Sequence, residues 1–95
     1  MSPDNKSQSR SWEGAEGHRF ALEVLQLPLR RRMLRLVASG MNAARQLGAE
    51  LNLSSPLVEY HLSMLEKALV IQRHEAGWMV TSTGLLFLEK VVGGP

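Results

Sequence analysis

The 95-residue sequence predicts a mostly α fold with a small β-hairpin, an α+β class in which helices come first, then two short strands, then a last helix. Three observations lead there. Apolar residues recur at helical spacing from His18 onward, the period drops to two only over Val70–His74 and Trp78–Thr81, and helical spacing returns after Ser82. Glycine, proline and serine fall at the joints between these stretches, where helices stop and start. The interval between the third and fourth helical stretches is only a few residues long.

Each element has its own local reason. HRFALEVLQL places Phe20, Ala21, Val24, Leu25 and Leu27 on a wide apolar stripe. Pro28 ends that helix or opens the next, because its ring is tolerated only in a first turn. LRRRMLRLVASG turns Leu29, Met33, Leu36 and Val37 to one face and Arg30, Arg31 and Arg35 to the other, and Gly40 supplies a left-handed stop. Asn42 is the expected cap of a third helix, with Ala44, Leu47 and Leu51 inward. After a turn at Asn52–Leu53, Ser54, Ser55 and Pro56 start a fourth helix running roughly from Ser55 to Ala68. Leu53 staples onto Val58, and Val58, Leu62 and Leu65 face inward. The two strands are joined by Glu75-Ala76-Gly77, with glycine placed where a positive φ is expected. Ser82 or Thr83 then caps a last helix reaching about Val92, before Gly93-Gly94-Pro95.

Length and composition exclude much else. Eleven Lys and Arg stand against nine Asp and Glu, and there is no cysteine, so disulfides and thiolate metal sites are out. No apolar run is long enough for a bilayer, and the N-terminus lacks the apolar core of a signal peptide, so a cytoplasmic protein without a membrane is expected. Residues 1–17 carry a net −1, four serines and one large apolar residue, Trp12; residues 18–95 carry +3. The first segment is expected to be a flexible tail, residues 18–92 the domain and 93–95 a second tail.

The short third-to-fourth connection forces two helices to cross sharply as a helix-turn-helix, and a hairpin directly after it is a wing. A small helical bundle with an incidental hairpin is the plainer alternative, and it gives no reason for that order. LGAELNLSSPLVEYHLSMLEKALVI resembles the helix-turn-helix core of ArsR-like bacterial and archaeal repressors, LA..L.LS...VS.HL..L...GLV. LPLRRRMLRLVASG is similar to their DPTRLRILRLL..G, and GWMVTSTG to their returning wing strand and T..G helix start. The resemblance spans about residues 18–92. It implies a homodimer on a palindromic operator, the fourth helix in the major groove and the wing on the backbone. Two positions depart from the family pattern: Leu69 stands where glycine is usual after the recognition helix, and Glu59 where a small hydroxyl is common. A leucine there leads us to expect that the helix runs a residue further or exits differently.

The outward side of the fourth helix reads Ser55, Pro56, Glu59, Tyr60, Ser63 and Lys67, poor in bases. Ser54 and Ser55 with the helix start suit a phosphate. Glu59 can accept from cytosine N4 or hold a neighbouring charge, and Tyr60 can touch a thymine methyl or donate to phosphate. The cations that contact a duplex backbone are then Arg73 and His74 near the wing tip, Arg45, and Arg31 within the Arg30–Arg35 cluster. That cluster equally fits a solvated face paired with nearby acids. The last helix is apolar on nearly every side, and with the first it supplies the expected two-fold interface: Phe20, Ala21, Val24, Leu85, Leu86, Leu88 and Val92. A covering tail or a longer parent chain would account for the same surplus.

His18, His61 and His74 fall on three different elements, with no pair at metal-ligand spacing, so no metal and no cofactor is expected. His61 is expected half-buried and bonded to backbone, and Trp78 packed in the hairpin. No nucleophile motif or phosphate loop is present, so an enzyme is not expected. The rival to a double-stranded DNA-binding regulator is a winged helix used for protein contact, favoured by Glu59 and Ser63. No effector is legible.

Overall fold

A computed structural model describes residues 14–90. It contains α1 (Ala15–Val24), α2 (Pro28–Ala38), α3 (Ala44–Leu51), α4 (Ser55–Lys67), β1 (Ile71–His74), β2 (Gly77–Val80) and α5 (Ser82–Lys90). This is the mostly helical winged helix-turn-helix that the sequence predicts. Trp12 and Val92 lie outside the described residues. α1 starts three residues before His18, inside the segment expected to be a tail. Glu16 explains part of this, sitting in the first turn where a negative charge meets the helix dipole's positive end.

The joints carry most of the local information. Leu27 is extended, as the residue before a proline must be, and Pro28 opens α2. α2 ends as expected: Gly40 has φ 112°, its N–H donates to Val37 O at 3.0 Å and Met41 N–H donates to Leu36 O at 3.0 Å. α4 ends in the same motif, with Leu69 N–H donating to Glu66 O at 2.9 Å and Val70 N–H to Leu65 O at 3.3 Å. Here the left-handed residue is leucine, with φ 66°. The helix neither extends nor exits differently; Leu69 takes up the glycine conformation, at a cost of about 1–2 kcal/mol. Thr81 holds it there, its hydroxyl donating to Leu69 O at 2.7 Å.

Three expected joints are made by other residues. Asn42 does not cap α3, whose N-cap is Ala43 without a side-chain bond. Asn42 O instead accepts from Trp78 N–H at 2.9 Å, tying the start of α3 to β2. Ser82 and Thr83 do not cap α5; the Thr81 hydroxyl accepts from Gly84 N–H at 3.0 Å. In the hairpin His74 pairs with Gly77, so only Glu75 and Ala76 form the loop, and the positive φ falls on Glu75 at 54°. Gly77 is needed for a different reason: a Cβ there would stand 2.7 Å from Asn42 O.

The core sits where the helices meet the hairpin. α1 gives Ala21, Val24 and Leu25; α2 gives Met33, Leu34 and Val37; α3 gives Leu47; α4 gives Val58, Leu62 and Leu65. Ala68, Val70, Ile71, Trp78 and Phe87 complete it. Two corrections follow. The inward stripe of α2 is Arg30, Met33, Leu34 and Val37, while Leu29 and Leu36 are half-buried. Ala21 and Val24, expected at a two-fold interface, are buried in the chain's own core and present no surface to a second copy.

Candidate nucleic-acid interface

α3 packs on α4 across the turn at Asn52, which is left-handed at φ 57°. An αL residue reverses the chain in one step, and asparagine accepts that conformation more readily than most. Ser54 then stands as the extended N-cap of α4 without a side-chain bond, and its carbonyl accepts from Leu57 and Val58 N–H. With Val58, His61, Leu62 and Leu65 inward, α4 shows solvent Ser55, Pro56, Leu57, Glu59, Tyr60, Glu66 and Lys67, with Ser63 half-buried. Of the outward set expected from sequence, all but Ser63 are exposed. Leu57 was missed: it is 42% exposed on the same helix. The signal was available, since an apolar residue one place before the inward Val58 falls off the stripe.

Beneath Tyr60 lies a polar group that sequence reasoning placed on the surface. Arg30 is only 7% exposed. Its Nε donates to His61 Nδ1 at 3.0 Å and its Nη1 to Val24 O at 3.3 Å. Its guanidinium carbon lies 5.6 Å from the Tyr60 ring centre, and the Tyr60 and His61 rings meet edge-on at 5.3 Å. One side chain of α2 thus clamps the end of α1 to the middle of α4. His61 is therefore buried and bonded to this guanidinium, not half-buried and bonded to backbone as expected.

Burial, and secondarily the Arg30 charge, hold the His61 imidazole below its usual value of 6.5. The unfolded chain therefore takes up the proton first as pH falls. Stability is full above about pH 6.5 and declines below it, toward the depressed folded value. We expect the unfolding midpoint to fall between about pH 7 and pH 5, and His61→Asn, whose Oδ1 stands where Nδ1 accepts from Arg30, to remove this component of the slope. An unchanged slope in that variant would assign the acid sensitivity elsewhere.

The other cations divide by environment. Arg31 is half-buried, its Nη1 donating to Leu25 O at 2.8 Å and Gln26 O at 3.0 Å, so it caps the end of α1 rather than facing outward. Arg32 lies 3.6 Å from the Glu50 carboxylate, a pair between exposed side chains of α2 and α3. Arg35, Arg45 and Lys67 are exposed. On the wing, Arg73 stacks its guanidinium 4.4 Å over the ring of its cross-strand partner Trp78. Trp78 is itself buried, as hairpin packing requires. His74 Nε2 lies 3.9 Å from the Glu75 carboxylate at the tip.

Of the residues expected at a two-fold interface, Leu85 and Leu86 are about half exposed, Phe20 is 37% exposed and Leu88 is half-buried. Leu22 and Leu27 add to the exposed apolar surface of the first two helices' side. Among the described residues no three His, Asp or Glu gather as a metal site, and no helix is long and apolar enough to cross a membrane. Residues 28–72, from the start of α2 to β1, match the family described as bacterial regulatory protein, arsR family. Searches of curated proteins and of solved structures found no match.

Proposed function

We propose that this chain is an ArsR-like helix-turn-helix regulator of transcription, a reading supported by the match over residues 28–72, and that it is a homodimeric repressor acting by occupation of a palindromic operator. The observation that carries the reading is α4, begun at Ser54 and packed on α3, with its outer side chains free of the core. Glu59, Tyr60 and Ser63 reach base edges, while Ser54 and Ser55 take a phosphate at the helix start. Lys67, Arg45, Arg73 and His74 supply backbone contacts. Phe20, Leu85 and Leu86 join two copies, and an operator with half-sites one turn apart requires the two α4 helices to stand about 34 Å apart. The regulator works by binding and not by catalysis, in the cytoplasm where the operator lies.

Retardation of duplex DNA tests this. Affinity should fall steeply with salt, and Arg73→Ala should weaken binding across sequences while lowering the salt slope by about one per protomer. The stacked guanidinium makes Arg73 a positioned contact, so the loss should exceed that for a free surface arginine. The base-poor face of α4 favours one rival, a protein-contact module. That rival predicts no retardation even at about 50 mM salt, a result that would overturn the repressor reading.

A further inference from the structure

We infer that α4 recognises its half-site chiefly through thymine methyl groups, which Leu57 and Tyr60 receive, with Glu59 accepting from a cytosine alongside. This rests on the reading of α4 as the groove-facing helix.

The one base on the outer face of α4, Lys67, stands in its last turn, away from the N-terminal turns that enter a groove first. From Ser54 to Glu66 there is no lysine or arginine. Guanine shows only acceptors, N7 and O6, in the major groove, and is read by a bidentate cationic donor that this stretch lacks. Leu57 and Tyr60, three residues apart and so neighbours on one flank of the helix, are 42% and 53% exposed. Glu59 is exposed on the other flank, away from Leu57, with half-buried Ser63 between it and Tyr60. The face is therefore divided lengthwise, apolar on one side and acceptor-bearing on the other. Thymine alone among the bases carries an apolar group into the major groove, its C5 methyl, and cytosine N4 is the donor that a carboxylate matches.

Tyr60 is also held in place. The Arg30 guanidinium lies 5.6 Å from its ring centre and the His61 ring meets it edge-on, while Arg30 is fixed by its bonds to His61 and Val24. An aromatic surface fixed this way presents a methyl with a defined contact and loses little side-chain freedom on binding.

The experiment starts from duplexes selected by the full chain from a randomised pool. Each thymine of the selected half-site is then replaced singly by deoxyuridine, which deletes only the methyl. At one or two positions the affinity should fall about fourfold, the value of one buried methyl. Leu57→Ala should bind the thymine and deoxyuridine duplexes equally at one of those positions, and Tyr60→Ala at the other. Since Leu57 is exposed, unchanged thermal unfolding of Leu57→Ala will confirm that the fold is intact. Salt-sensitive binding of selected duplexes in which every deoxyuridine replacement is silent would overturn this inference and leave the repressor reading standing. Failure to retain any duplex would overturn both.

Discussion

Replacing Arg30 with alanine should cost this protein about 3 kcal/mol, through loss of a buried, charge-assisted donor and an acceptor left unmatched. In a domain of this size that lowers the unfolding midpoint by roughly 12–24 °C. The reason is local. Arg30 is almost fully enclosed, donates to His61 on α4 and to the Val24 carbonyl at the end of α1, and lies against Tyr60. Alanine leaves His61 Nδ1 inside the protein without its donor and opens a space where the alkyl stem had packed. Lysine keeps the charge and three N–H donors but carries them on one nitrogen, so it lacks the separate Nε and Nη1 that reach His61 and Val24 and should recover no more than half of the loss. Arg30→Met with His61→Leu tests the account more sharply. When both polar partners are exchanged for apolar groups of similar shape, the double variant should be more stable than the sum of the two single changes predicts. Strict additivity in denaturant unfolding, or a loss under about 1 kcal/mol in Arg30→Ala, would show that the bonds contribute little.

Arg30 also marks where the sequence stops being readable. The stripe of positions 30, 33, 34 and 37 is a regular helical face, but pattern reasoning sends an arginine outward, because a buried cation is unfavourable unless it finds partners. Its partner is 31 positions away, and nothing local announces it. The same limit applies to Asn42, which reads as a helix cap and in fact accepts from Trp78 in the wing. It applies again to Ala21 and Val24, whose stripe is too wide to tell the core side from the exposed side. By contrast, the Ser54–Pro56 helix start, the change of period at Val70 and the Gly40 stop depend on neighbours a few residues away, and each lies where the pattern places it. The outer face of α4 was legible for that reason. Leu57 is legible by the same local rule, since it falls off the stripe of Val58, Leu62 and Leu65.

Gly84 offers the second large effect, and a comparison that fixes its cause. It is buried in the first turn of α5, against the chain leaving α4. A Cβ at this position would run into the Val70 carbonyl oxygen and stand 2.7 Å from Val80 Cγ2. The Val70 carbonyl is backbone and already accepts from Thr81 N–H at 3.0 Å, so it cannot turn aside without releasing the bond that joins the wing to α5. Alanine gains about 1 kcal/mol of helix propensity over glycine, and overpacking of this kind costs more than it returns. Gly84→Ala should therefore lose about 2 kcal/mol, and Gly84→Val about 4 kcal/mol. Gly17, inside α1, has nothing within 4 Å of the same hypothetical atom. There the propensity gain stands alone, and Gly17→Ala should raise stability by about 0.5–1 kcal/mol. The two substitutions are chemically identical and should differ in sign when unfolding is followed by denaturant. Because α5 and the wing meet at Gly84's neighbours, Gly84→Ala should also weaken duplex binding at temperatures where the chain stays folded. If Gly84→Ala proves as stabilising as Gly17→Ala, then α5 does not press on the Val70 carbonyl as closely as this packing requires.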